Sequence, residues 1–275
     1  MRIHTNIASL HAQRSMSEHT KSVESASGKL AQGTRVRNAS DDAASLAIGT
    51  KQKSNIKSNY QAIRNANDAI SEFQMAEGTL NEVGNMLVRL KELSVQASSD
   101  HLVDEDRANI NYEYMALRSE IERTTQSANF LGDNLFRSTK DRTYQIGIHN
   151  DETSKMEIDR AKMIVTEFSL QIVDSSIPTA EEARFNLGYI DTGIERLAKT
   201  RAALGAIQNR MQSTVNNLDT SRLNETAAMS QRMDADFAHE TSEKVRGELR
   251  VQAASSVMVQ ANNVSANALK LLKDS

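Results

Sequence analysis

Residues 1–100 and 185–275 both read as long amphipathic helices with few breakers, and the irregular, strand-like sequence is confined between them. That arrangement constrains the fold more than any other feature of the chain. Termini of ordinary domains are short and frayed. Long sticky helices at both ends belong to a chain built to assemble with copies of itself. The single proline of the 275 residues, Pro178, fits this reading, because each proline inside a helix costs about 3 kcal/mol. Hydrophobic residues make up 39% and aromatics 4%, too lean for a thick core but enough for narrow seams. The absence of cysteine excludes disulfides and thiolate metal sites and leaves the redox compartment open. A net charge of −3, with both signs spread evenly along the chain, argues against nucleic acid as the main partner. No apolar run approaches the ~18 residues of a membrane-spanning helix. The start Met1-Arg2-Ile3-His4-Thr5-Asn6 has no apolar stretch of the secretory type. The expectation is a cytoplasmic protein or one exported by another route.

Seven-residue spacing supplies the seams. Ile190, Leu197, Leu204, Met211 and Leu218 stand seven apart, flanked by Ile194 and Ile207. Ala66, Phe73, Leu80 and Leu87 repeat the pattern, with Ile56, Ile63 and Ile70 beside them. This is a coiled-coil-like pairing signal. At the C-terminus, Val251, Ala254, Met258, Ala261, Ser265, Ala268 and Leu272 form a stripe of mostly small residues, and Val257, Val264 and Leu271 form a second. The first 30 residues carry Ile3, Ile7 and Leu10, then Met16, Val23 and Leu30. Helices apolar on more than one side need more than one neighbour. These ends are expected to stay unfolded or frayed in the monomer and to become helical on assembly, since small residues bury too little area to offset ordering.

Between the seams, turn chemistry sets the boundaries. Gln32-Gly33-Thr34 ends the first helix, and Ser40 or Asp41 is the expected N-cap of the next. A helix is expected over 104–127, with Ile110, Tyr114, Leu117 and Ile121 inward. Gly132-Asp133-Asn134 breaks it. Tyr144, Ile146 and Ile148 alternate, as do Met156 and Ile158, which predicts a hairpin around His149-Asn150-Asp151. Phe168, Leu170 and Ile172 suggest a further strand. Thr179-Ala180-Glu181-Glu182 reads as a capping box that starts the return helix. The fold class is therefore mainly α: a long antiparallel helical bundle or coiled coil formed by the N- and C-terminal segments, with a small β-hairpin region in the middle, about 136–175.

Several segments resemble bacterial flagellin, over nearly the whole chain and in order. They are Met1-Arg2-Ile3 with Asn6-Ile7-Ala8, SGKLAQGTRV at Ser27–Val36, ASDDAASLAI at Ala39–Ile48, MAEGTLNEV at Met75–Val83, RLKELSVQA at Arg89–Ala97 and NFLGDNLF at Asn129–Phe136. LGAIQNRM at Leu204–Met211, DADFAHE at Asp234–Glu240 and QAASSVMVQANNVSANALKLL at Gln252–Leu272 complete the set. The resemblance implies a structural subunit of the bacterial flagellar filament. It implies an inner terminal helix pair, 1–43 with 234–275, and an outer shell, 44–233. Only 128–178 separates the two shell helices, so the variable outer domains of larger flagellins are absent and the filament should be thin and smooth.

No constellation for catalysis is present: there is no H-E-x-x-H, nucleophile elbow, P-loop or G-x-G-x-x-G. His4, His11 and His19 lie about two turns apart, too far to share one metal. Asp234, Asp236, His239 and Glu240 read as a solvated charged face rather than a ligand set. Asp41 and Asp42 read as helix-start charges. Three N-x-S/T matches, at Asn38, Asn224 and Asn263, read as chance. Catalytic, cofactor-binding and metal-binding residues are thus expected to be none.

The candidate functional residues are seams. Self-assembly is assigned to Ile3, Ile7, Leu10, Val23, Leu30, Val251, Ala254, Met258, Val264, Leu271 and Leu272. The core heptads are Phe73, Leu80, Leu87, Ile190, Leu197, Leu204, Met211 and Leu218. Arg89, Leu93 and Gln96, with Glu120, resemble the family's recognition surface for the flagellin-sensing Toll-like receptor, though Val88 stands where the receptor-active pattern usually has Gln. The alternative is protofilament contact or core. The resemblance also implies partners: identical subunits in a helical filament, an export chaperone at the C-terminal helix, the filament cap and the hook-junction proteins. Nucleic acid and membrane insertion are not expected. It implies an extracellular filament reached through the flagellar type III apparatus, without a cleaved signal peptide. The competing readings are a hook–filament junction protein of the same superfamily and a non-flagellar coiled-coil adaptor.

Overall fold

A computed structural model describes residues 6–137, 141–160, 164–172 and 175–273, the side chains of 167–168 and 264–273 excepted. The elements in order are α1 (Ile7–Gln32), α2 (Ala39–Ala97), α3 (Asp104–Ser127), β1 (Asn129–Phe130), β2 (Asp133–Asn134), β3 (Arg142–Gln145), β4 (Lys155–Ile158), α4 (Glu167–Leu170), α5 (Ala180–Met233) and α6 (Phe237–Lys273). The chain groups into two compact units, 1–56 with 224–275 and 57–223. The fold is mainly α with a small antiparallel hairpin, as the heptads and the alternating middle segment imply.

In the first unit α1 and α6 pair antiparallel. Asn6 caps α1 by accepting from the Ser9 N–H (3.1 Å), and its Nδ2 donates to the Ala261 carbonyl (3.0 Å). Further along, Lys29 Nζ meets Glu240 Oε1 at 3.0 Å. Gly33 ends α1 at φ 68, the left-handed conformation that glycine tolerates without a Cβ penalty. The two interhelical breaks then pair with each other. Thr34 and Asp234 form an antiparallel bridge, Arg35 N–H donates to the Met233 carbonyl (2.7 Å), and Ala235 N–H donates to the Gly33 carbonyl (2.9 Å).

The start of α2 departs from expectation. Asp42 is extended (φ −163, ψ 99), and its Oδ1 accepts from the Ser45 N–H at 2.9 Å, so Asp42 is the effective cap rather than Ser40 or Asp41. Asp41 turns back instead and accepts from the Arg37 and Asn38 N–H groups (3.0 Å each), which closes the loop before it. Both carboxyls are held below the ordinary carboxylate range. For Asp41 the cause is chiefly the Asn38 and Arg37 N–H groups, for Asp42 the Ser45 hydroxyl and N–H.

In the second unit the 57–97 part of α2 and the 180–223 part of α5 run antiparallel, with Lys91 on Asp191 (2.6 Å) and Gln208 Nε2 on Glu77 (3.1 Å). Phe73, Leu80, Leu87, Ile190, Leu197, Leu204 and Met211 are buried between them, and Leu218 is half-buried. Helix α3 covers one side: Tyr114 and Ile121 are buried, and the Tyr114 hydroxyl donates to Ser175 Oγ at 2.8 Å. The expected capping box is formed, with Glu182 N–H on Thr179 Oγ1 (3.2 Å) and the Thr179 hydroxyl on Glu182 Oε2 (2.9 Å).

Two small hairpins close this unit. In the first, which the sequence reading missed, Asn129 pairs with Asn134 and Phe130 with Asp133. Its two loop residues, Leu131 (φ 51) and Gly132 (φ 86), both take the positive φ of a type I′ turn. In the second, Tyr144 pairs with Met156 and Arg142 with Ile158, in the alternation expected. A charged cluster ties both to α2. The Glu72 carboxylate accepts from Arg142 Nη1 and from the Tyr144 hydroxyl, at 2.7 Å each. Arg142 and Arg160 both donate to Asp133 Oδ2 (2.5 and 2.9 Å). Those arginines, Arg142 foremost, hold the Asp133 carboxyl low, while burial and the Glu72 charge push the Tyr144 phenol up.

The strand expected at Phe168, Leu170 and Ile172 is not formed. Residues 167–170 make one helical turn instead, because Thr166 and Ser169 satisfy each other's backbone N–H groups through their hydroxyls (2.8 and 3.2 Å). Gln171 at φ 62 ends the turn. Among the described residues no strand lies beside it to pair with.

Candidate functional site

Two faces of α6 differ in burial. Gly247 lies where a Cβ would stand 2.7 Å from Val23 Cγ2, so α1 and α6 touch backbone to side chain at this point. Val251, Ala254, Met258 and Ala261 follow Gly247 at steps of four and three, and all are half-buried. Across the seam Ala12 and Ala26 are buried, and Met16, His19, Val23 and Leu30 are half-buried at the same spacing. The seam is thus an intramolecular coiled coil in which a row of small residues (Ala12, Ala26, Gly247, Ala254, Ala261) lies beside larger ones (Met16, Val23, Leu30, Val251, Met258).

That geometry divides the residues assigned to self-assembly. Val23, Leu30, Val251, Ala254 and Met258 carry the heptad stripes of the α1–α6 seam. Ile7 and Leu10 are exposed. Ile3 and the side chains of Val264, Leu271 and Leu272 lie outside the described residues. A different set on α6 stands free of the seam. Phe237 is 70% exposed and Leu249 62%, with Val245, Val257 and Val259 also exposed. Phe237, Thr241, Val245 and Leu249 form an i, i+4 ridge, a spacing visible in the sequence but hidden there by the small-residue stripe beside it.

The charged segment at the start of α6 is exposed at Asp234, Asp236 and His239, as expected of a solvated face, and departs from that expectation at Glu240. Asp236 caps the helix, accepting from the Ala238 (2.9 Å) and His239 (3.2 Å) N–H groups. Glu240 is only 6% exposed and is held by Lys29, because it occupies a seam position seven residues before Gly247. Among the described residues no group of three or more His, Asp or Glu is placed to hold a metal ion.

On the second unit, Leu93 is 1% exposed and belongs to the core, which corrects its assignment to a surface. Its place in α2, three residues after Leu90, turns it inward. Arg89, Gln96 and Glu120 remain accessible but do not act as one cluster. Arg89 pairs with Glu113 (2.8 Å) and Glu92 (3.0 Å), whereas Glu120 pairs with Arg123 (2.5 Å), whose guanidinium holds the Glu120 carboxyl low. Among the described residues no helix is long and apolar enough to cross a membrane.

Comparison with known proteins agrees with this architecture of paired terminal helices. Residues 3–141 match the bacterial flagellin N-terminal helical region, and 187–272 match the bacterial flagellin C-terminal helical region. A flagellin of Halalkalibacterium halodurans is 34% identical over 273 residues, 99% of this chain and 100% of that protein. Flagellin FlaB1 of Treponema pallidum is 32% identical over 99% of this chain and its own full length, and the Treponema maltophilum flagellar filament 31.3 kDa core protein is 32% identical over the same shares. The crystal structure of Bacillus cereus flagellin superposes with a TM-score of 0.50 at 25% identity, over 56% of this chain and 88% of that one.

Proposed function

The chain belongs to the bacterial flagellin family and is a structural subunit of the flagellar filament, and from that premise we propose how it polymerises. The terminal pair, 1–43 with 234–275, forms the inner core of an extracellular filament, and 44–233 forms the outer shell. The observation that carries this is the exposed ridge Phe237–Val245–Leu249 on a helix whose opposite face is already packed on α1. Fully burying side chains of this size is worth about 1.5–3 kcal/mol each, enough for a neighbouring subunit to order helices that bury little on their own. A repeated contact between different faces that does not close on itself generates an open helical filament. The terminal helices fold as each subunit is incorporated at the tip.

The same ridge needs shielding before assembly. An export chaperone holding α6 in a groove meets that need, with delivery through the flagellar type III apparatus to a growing end covered by the cap and anchored on hook-junction proteins. Arg89, Gln96 and Glu120 offer an exposed polar surface for lateral contact between subunits, and a Toll-like receptor would have to engage them without Leu93.

Removal of residues from Asp234 onward tests the reading. Full-length protein seeded with filament fragments should elongate into long filaments in electron micrographs, and the truncated chain should stay monomeric. Full-length protein that stops at a short ring would sink the proposal in favour of a junction protein.

A further inference from the structure

The rows of the α1–α6 seam do not fix their own register. Ala12, His19 and Ala26 on one helix meet Gly247, Ala254 and Ala261 on the other, both at a seven-residue step. Slid by one heptad, small residues would still meet small residues. Two features outside the rows would not survive the slip. Glu240 is buried and its carboxylate is held by Lys29 Nζ at 3.0 Å, so a slip takes that charge away from its partner, which is strongly disfavoured. The turns beyond this pair are also bonded to each other. Arg35 N–H donates to the Met233 carbonyl (2.7 Å), Ala235 N–H to the Gly33 carbonyl (2.9 Å) and the Arg35 guanidinium to the Arg232 carbonyl (2.9 Å).

These turns form a clasp with its own anchorage. Behind it α2 and α5 lie close together: a Cβ on Gly49 would stand 2.6 Å from Met233 Sδ, and Asn55 Nδ2 donates to Glu225 Oε1 at 3.4 Å. Both turns satisfy backbone groups locally. Asp41 accepts from the Arg37 and Asn38 N–H groups, and Asp236 from those of Ala238 and His239. Val36 is buried in the first turn, and Ala26 two turns back along α1. The far end of the pair is held more lightly. Asn6 Nδ2 bonds the Ala261 carbonyl at 3.0 Å and Ala12 is buried, but Met258 and Ala261 are half-buried, and Ile7 and Leu10 are exposed.

Resting on the filament reading, we propose that this clasp is where α1 and α6 begin to pair as a subunit is incorporated, and that it sets their register. Pairing then runs outward to Asn6 and Ala261. A start at the clasp closes short loops, because Gly33 and Ala235 belong to turns anchored on α2 and α5. A start at Asn6 and Ala261 has to close a loop that contains both helices before any neighbouring contact supports it. Lys29 and Glu240 stand about one turn into their helices, so a misplaced register meets an unpaired charge before the small rows engage.

Rates of seeded elongation and of filament shortening on dilution, both with the full chain, test the order. Contacts made early in folding change the forward rate, and contacts made late change the reverse rate. Glu240→Lys sets two cations together and should slow elongation about tenfold, while Lys29→Glu with Glu240→Lys should recover to within about threefold of the parent. Gly33→Ala strains the turn at its positive φ and should slow elongation about fivefold, with shortening within about twofold of the parent. At the far end Asn6→Ala and Ala12→Gly should leave elongation within about twofold and speed shortening about fivefold. Should Glu240→Lys fail to fold, Glu240→Gln with Gly33→Ala reads the same end. Clasp variants that elongate like the parent overturn the proposal, as do far-end variants that slow elongation as much as Gly33→Ala. A parent that elongates while its variants break this pattern overturns the order of pairing alone. A parent that never elongates overturns the filament reading, and this order with it.

Discussion

The second unit and the α1–α6 pair are both antiparallel helix pairings on a seven-residue repeat, yet they solve different problems. In the second unit the repeat positions are Phe73, Leu80, Leu87, Ile190, Leu197 and Leu204, all buried, and α3 and the two hairpins cover the remaining side. In the α1–α6 pair one row of the repeat is Ala12, His19, Ala26, Gly247, Ala254 and Ala261, the row beside it (Val23, Leu30, Val251, Met258) is only half-buried, and the apolar side chains Phe237, Leu249 and Ile7 are exposed. Large residues at seam positions give the second unit a core that is buried within the chain. Small residues on one row there, with Phe237 and Leu249 left exposed, leave an apolar face that the polymerisation proposed above would cover.

The largest expected effect breaks the stable side. Leu80→Ala opens a cavity in a fully buried position and should cost about 3–4 kcal/mol in denaturant unfolding. A loss under about 1 kcal/mol would mean that the 57–223 core is as loose as the terminal seam, and the contrast would collapse. Second in size is Glu72→Gln. The amide keeps the shape but removes the charge that Arg142 and the Tyr144 hydroxyl are bonded to, at a cost of about 2 kcal/mol. Faster amide exchange confined to the second hairpin and β2 would locate the loss. Uniform loss across the unit would contradict a local tie.

How far the sequence made this legible follows from range. The helix over 104–127 and the Thr179 capping box depend on neighbours within a turn, so spacing and turn chemistry place them. The register of Tyr144 with Met156 follows from alternation on either side of one turn. The Glu72–Arg142–Asp133–Arg160 cluster was invisible because its members come from separate segments that only the fold brings together. Phe168, Leu170 and Ile172 misled because alternation does not show whether a strand partner exists, and the hydroxyls of Thr166 and Ser169 offer a helical turn instead. On α6 the stripe Val251–Ala254–Met258 announces a seam without saying whether it closes within the chain. Its burial and the close approach of Gly247 to Val23 assign it to α1.

The third prediction probes that close approach. In Gly247→Ala the new methyl would lie 2.7 Å from Val23 Cγ2, so the helices must part slightly, while the alanine gains up to about 1 kcal/mol of helix propensity. The net change in the unfolding of 57–223 should be nil, and elongation from seeds should slow severalfold, by about 1 kcal/mol or less of lost seam packing. Val23→Ala in the same chain removes the obstructing methyl and should restore the rate. A double variant as slow as the single would show that the seam is not tight at Gly247.

The smallest effect separates the helix starts by acid. The start of α1 is capped by the neutral amide of Asn6, that of α2 by the Asp42 carboxylate. Bonds from the Ser45 hydroxyl and N–H hold the Asp42 carboxyl below its ordinary value. A group with a depressed folded pKa lends its support fully above the unfolded value, about pH 4 for Asp, and loses it as pH falls through the lower folded value. The Ser45 amide resonance should therefore be constant down to about pH 4 and move only below it. The Ser9 amide should show no such step, and Asp42→Asn should erase the step at Ser45. A Ser45 titration centred at or above the ordinary Asp value would put its N–H off the carboxylate and return the start of α2 to Ser40 or Asp41.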